Sequence, residues 1–192
     1  MNGDLFNIAR ENYINESIQK LERIKKYNSP VFKEMTINIH SILEDKNALI
    51  NQLILNGIDN NKSILYYFTL YSNYDRIEIC TKIQEYKKKH KKGKHYIAFP
   101  KVNYTENIFL YVGKTNKDFI KRFEYHLGIK TGKSVYALHL NEWNKLLKTT
   151  DKLSIKMFYA IIELAQNNYS DLEILESCLH THLSPLLGRE GH

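Results

Sequence analysis

Residues 110–128 read LYVGKTNKDFIKRFEYHLG. The first part, with Leu110, Tyr111 and Val112, predicts a strand, and Gly113 closes it where a side chain would obstruct the turn. From Asn116 the apolar residues Ile120, Phe123 and Leu127 recur at helical spacing and stop at Gly128, a helix-ending residue. Residues four apart share a helix face, so Arg122 lies beside His126, while Phe123 and Leu127 form a second pair turned about 100° away. One pair can serve a core while the other serves a site. Arginine offers planar, permanently charged donors and histidine can move a proton near neutral pH, a combination suited to an anionic transition state. Lys114 follows the glycine directly and projects from the strand end toward a neighbouring helix.

On the N-terminal side, "HYIAFPKV" (95–102) and "NIFLYVG" (107–113) read as strands joined by the polar loop "NYTEN" (103–107). On the C-terminal side, "SVYALHL" (134–140) alternates as a third strand candidate, with a helical continuation, and "KLSIKMFYAII" (152–162) suits a further strand. The last helix begins at Ser170-Asp171-Leu172-Glu173, a capping-box pattern that gives Glu173 a structural role, and it ends before Pro185. Glu176 then lies one turn further in, beside Leu172, Leu175 and Leu179, where a carboxylate is costly unless a cation meets it. The expected class is α+β: a small antiparallel sheet with helices against it.

The first ninety residues read as mostly helical. Ile14, Ile18, Leu21 and Ile24 mark a helix within 11–27, and "SILEDKNALINQLIL" (41–55) marks a second that stops near Gly57. "NKSILYYFTLYS" (61–72) and "YDRIEICTKIQEYKKKH" (74–90) read as two more. The division expected is residues 1–92 as a helical region for DNA contacts or dimerisation, and 93–192 as the core. The run "YKKKHKKGKH" (86–95) is the sharpest shift in composition and suits contact with phosphates.

Composition narrows the classes. The chain has 192 residues, 43% of them hydrophobic and 26% charged, which fits a soluble globular protein. No apolar run is long enough to span a bilayer, and the first residues lack the basic-then-apolar order of a secretory signal. Cys80 and Cys178 are far apart with no metal-type spacing, so two reduced thiols and a cytoplasmic protein are expected. Lys and Arg number 28 against 21 acidic residues, for a net charge of +7 and a pI near 9.2, which favours a polyanionic partner.

Tyr111-Val112-Gly113, the Lys-Thr after it, Arg122 and His126 one turn on, and a later helical glutamate occur in an order that resembles the GIY-YIG nuclease superfamily. The resemblance covers about residues 94–189 and implies a three-stranded antiparallel sheet flanked by helices. It implies a metal-dependent endonuclease that hydrolyses phosphodiester bonds in double-stranded DNA. Glu176 would be the ligand of Mg²⁺, for which Mn²⁺ can substitute. It further implies Tyr96 as the first-motif tyrosine that deprotonates water, with Tyr104 as its alternative. Tyr111 would position the phosphate or a water, and Arg122, His126 and Lys114 would complete the catalytic set. The first motif is eroded to Lys94-His95-Tyr96, and no asparagine follows Pro185 at the family's place. His180 shares the Glu176 face, and whether it or His182 supports the site is open. A compact type II restriction endonuclease acting as a homodimer on DNA is the reading this pattern suits best. A homing, mobile-element or repair nuclease, or an inactive DNA-binding derivative, is the alternative.

Overall fold

In this computed structural model the described residues are 2–71, 76–90, 96–132, 134–147, 153–164 and 168–189. The class is α+β, as expected, but the sheet has four strands rather than three. These are β1 (Lys33–Asn38), β2 (Ile64–Leu70), β3 (Phe109–Thr115) and β4 (Ser154–Ile161), in the order β1-β4-β2-β3, with every neighbouring pair antiparallel. The helices are α1 (Asn2–Ile24), α2 (Ile42–Leu55), α3 (Arg76–His90), α4 (Phe119–Leu127), α5 (Leu140–Leu147) and α6 (Tyr169–Leu183). Two strands come from each side of the boundary expected at 92 and 93, and one hydrogen-bonded ladder joins them.

The stretch expected to be a helix at 61–72 contains β2, a central strand, and the reason is burial on both faces. Ile64, Tyr66, Phe68 and Leu70 point into the main core, while Leu65 packs on the other side with Ala160, Ile162 and Leu172. A strand covered on both faces has no polar alternation, so its apolar run carries no period to separate it from a buried helix. The β-branched and aromatic content of "ILYYFTL" decides in favour of the strand once two neighbours are present to pair with it.

Two expected strands do not form. Residues 96–101 and 134–139 have no regular structure, and the second leads into α5. The free edge of β3 is taken instead by the segment after α6. Leu186 N–H donates to the Phe109 carbonyl at 2.9 Å and Leu187 N–H to the Leu110 carbonyl at 2.9 Å. Leu187 also bridges Val102 on its far side, and Asn103 Nδ2 donates to the carbonyls of Pro185 and Gly188. An asparagine thus braces this segment from upstream in the chain.

The main core lies between one sheet face and α2 to α5; α6, Tyr27 and Phe32 cover the other. The helix at 11–27 forms, but its apolar stripe faces solvent: Ile14, Ile18 and Leu21 are 47%, 52% and 52% exposed. Its last turn is held by the buried carboxylate of Asp171, which accepts from Arg23 at 2.6 and 2.7 Å and from the Tyr27 hydroxyl at 2.9 Å. Gly57 follows α2 with φ +87°, the helix-ending role its position predicts. The capping box at Ser170 is not formed. The helix starts one residue earlier, Ser170 Oγ donates to Asn168 Oδ1, and Glu173 is free to face Lys114. No helix among the described residues is long and apolar enough to cross a membrane. Cys80 is buried and Cys178 exposed, neither in a disulfide.

Candidate functional site

The strand β3 and the helix α4 bring Tyr111, Arg122 and His126 together as the opening stretch predicts. Arg122 Nη2 donates to the Tyr111 hydroxyl at 3.0 Å and to the Tyr136 carbonyl at 2.7 Å. Its Nε donates to a second hydroxyl at 3.1 Å, and that hydroxyl belongs to Tyr66 on β2. Tyr66 pairs with Gly113 across the ladder, and its ring stacks 6.3 Å from that of Tyr111.

This neighbour explains Gly113. The glycine lies inside β3 rather than at a turn, and a Cβ there would stand 2.6 Å from the Tyr66 hydroxyl and 2.7 Å from the Tyr111 ring. Only a residue without a side chain leaves room for both tyrosines.

His126 is fully buried rather than presented beside Arg122. The backbone N–H of Leu138 donates to its Nδ1 at 3.2 Å, which leaves the proton on Nε2 and directs it at the Tyr66 hydroxyl 3.0 Å away. Burial, then the nearby Arg122 and His139, hold its pKa well below the ordinary histidine value, so the ring is neutral near pH 7. A proton relay through imidazolium is therefore not its chemistry; it is a fixed N–H donor. The Tyr66 oxygen accepts two N–H groups, an arrangement that favours a phenolate. Burial nevertheless dominates and pushes Tyr66 well above the usual tyrosine range, with Arg122 offsetting part of the rise. Tyr111 is raised by burial in the same way and lowered in part by Arg122.

A cavity of about 770 Å³ opens in front of this network, lined by Tyr111, Arg122, Lys114, Glu176 and Tyr96 among others. Lys114 leaves β3 on the face opposite Gly113 and reaches α6, where its Nζ lies 3.2 Å from Glu176 Oε2 and 3.6 Å from Glu173 Oε1. Glu176 is 8% exposed, and burial raises its carboxyl while Lys114 lowers it. Its Oε2 is buried and makes an ion pair with Lys114 but no aligned hydrogen bond among the described residues. A buried carboxylate oxygen with spare acceptor capacity, on a residue that lines this cavity, fits one coordination position of a hard cation. Mg²⁺ commonly takes one or two carboxylates and keeps its remaining ligands as water or phosphate oxygen. Among the described residues no group of three or more His, Cys, Asp or Glu side chains able to hold a metal occurs, and Glu176 is the buried carboxylate that lines the cavity.

Tyr96 stands in the cavity wall, its pKa raised by burial and by Tyr136, and the bonds to Arg122 are made by Tyr66 and Tyr111 instead. Tyr104 is 57% exposed with a left-handed backbone and does not line the cavity. His180 is turned toward Gly188 and the Tyr111 side of α6, whereas His182 lines a separate groove against α1. Lys94 and His95 lie outside the described residues. Tyr66 is the residue that sequence reasoning missed. The available signal was an aromatic in a β-branched run that could pair with "LYVG". Compared with family models, curated proteins and solved structures, the chain matches none.

Proposed function

We propose that this protein is a metal-dependent DNA endonuclease of the GIY-YIG type. The observation that carries the reading is the placement of Arg122, braced by two tyrosine hydroxyls, across one cavity from the buried carboxylate of Glu176. An arginine and a carboxylate-held cation lining one cavity suit stabilisation of the charge that develops on a phosphodiester under attack. Mg²⁺ (or Mn²⁺) held by Glu176 would act as a Lewis acid on the leaving side.

The chain's own groups do the remainder. Arg122 binds the non-bridging oxygens through Nη1, the arm without a hydrogen bond among the described residues, and stays charged throughout. Tyr111 lines the cavity, its hydroxyl accepting from Arg122, and as the phenolate it would orient the attacking water and take its proton. Tyr66 and His126 hold the guanidinium from behind. Lys114 pairs with Glu176, the carboxylate that would hold the cation, and with Glu173 beside it.

A site of this size cuts one strand, so duplex cleavage takes two copies, and a homodimer on double-stranded DNA is the form proposed. Among such nucleases a type II restriction endonuclease fits a compact chain best. The second reading, an inactive DNA-binding derivative, is favoured by the ammonium of Lys114 standing at 3.2 Å from Glu176. Plasmid DNA incubated with the protein and Mg²⁺ separates these. Discrete fragments support restriction, nicking of branched or damaged DNA supports repair, and binding without cutting supports the inactive form.

A further inference from the structure

The same cavity is also lined by a second cationic group, Lys87, Lys101 and Arg189. Three hydrogen-bonded segments gather them. Lys87 comes from the last turn of α3 and donates to the Pro100 carbonyl at 2.9 Å, beside Lys101. Gly188 N–H donates to the Lys101 carbonyl at 2.8 Å, which sets Arg189 next to the same residue. None of the three forms a salt bridge among the described residues, while the two carboxylates lining the cavity, Glu173 and Glu176, both face Lys114. Like charges held together with no ion pair among the described residues favour an anion. Lys87 carries the mark of that crowding: burial and then Arg189 lower its pKa. Tyr96 and Tyr136 line the same cavity and offer ring faces of the kind nucleobases stack on, which an inorganic anion does not need.

We infer that Lys87, Lys101 and Arg189 form a second phosphate subsite, which takes a phosphate neighbouring the one at Arg122 on the same nucleic-acid strand. The inference rests on the reading of the cavity as a phosphodiester site. It makes the substrate a polynucleotide held at two phosphates rather than an isolated phosphodiester, and it gives Tyr96 a place in the wall beside the bases.

The test is fluorescence anisotropy of a labelled duplex oligonucleotide with the full chain in EDTA, so that nothing is cut, across a range of salt. Lys87→Met with Arg189→Met keeps the apolar stems and removes two charges. The slope of log affinity against log salt should fall by about 0.9 for each phosphate no longer neutralised, and affinity at low salt should drop about tenfold or more. A control exchange, Lys46→Met on α2 and outside the cavity, should move neither by as much. Arg189→Met alone, at an exposed position, serves if the double variant loses its circular-dichroism signature. An unchanged slope, or a change no larger than the control's, overturns the subsite. So does displacement of the duplex by inorganic phosphate at the same phosphate concentration as a competing unlabelled duplex. Cutting in Mg²⁺ is read separately. If the parent protein binds with the expected slope but never cuts, the nuclease reading fails and the subsite stands. If the parent cuts and the double variant cuts with unchanged KM, the subsite fails and the nuclease reading stands.

Discussion

Tyr66 and Gly113 face each other across the β2–β3 ladder, and each accounts for the other. A methyl group at 113 forces the Tyr66 hydroxyl away from Arg122 and His126. Overpacking of this kind costs about 1–3 kcal/mol, so Gly113→Ala should lower Tm by several degrees and reduce DNA cutting at least about tenfold. Tyr66→Phe removes an oxygen that two buried N–H groups share, and its stability cost should be about 1–3 kcal/mol by urea denaturation. A full-strength Arg122 in that variant, read as wild-type cutting, would remove Tyr66 from the positioning role. For the attacking water, the raised Tyr111 hydroxyl predicts a rate that climbs with pH, about tenfold per unit below the tyrosine value, and a flat profile in Tyr111→Phe.

His126 gives the complementary result for stability. Its folded pKa is depressed, so the unfolded chain binds the proton more readily. The stabilisation is fully present above the ordinary histidine value of 6.5 and is lost as pH falls below it toward the folded value. Tm measured between pH 7.5 and about 5 should therefore fall in the parent protein and fall less in His126→Gln.

Among the elements, the strand–helix pair 109–127 was legible from the chain because both its periods are clean and a glycine ends it. Arg122 and Glu176 were legible as well, each from a charged residue beside an apolar stripe. Tyr66 was not, because β2 is buried on both faces and shows no alternation, and because 45 residues separate it from Tyr111. His126 was read as sharing with Arg122 a site-facing side of the helix turned from Phe123 and Leu127, although α4 buries Phe119, Phe123 and Leu127 and His126 is buried with them. The strands expected at 95–102 and 134–140 had the right composition, but the β3 edge was already occupied by Leu186 and Leu187. Pairing partners, which local sequence does not contain, decided each of these cases. At the same scale, α1 hangs on the Asp171 carboxylate. Asp171→Ala should open the end of α1 to proteolysis, with new cleavage before residue 30, while leaving the β2–β3 ladder protected from hydrogen exchange.

For the whole molecule, a net charge of +7 and a cavity rich in cations make binding and chemistry separable. Glu176→Gln removes the buried carboxylate proposed to hold an ion, yet keeps the shape of the cavity. It should abolish cutting in Mg²⁺ while duplex affinity in EDTA is retained or slightly improved. Arg122→Ala should abolish cutting with DNA binding largely intact. Near wild-type cutting by either folded variant would assign the chemistry elsewhere.

The place of β4 in the sheet has a consequence for how the protein is made. It is inserted between β1 and β2, so neither of those strands has its β4 partner until residue 161 has been synthesised. The cavity closes later still, when Glu176 arrives on α6 and Leu187 locks onto β3. A ribosome carrying the first 150 residues holds a chain with Arg122 and both tyrosines but no complete sheet to align them. A chain that stops before β4 and α6 lacks the alignment the proposed chemistry needs, so a protein ending at residue 150 should not cut DNA.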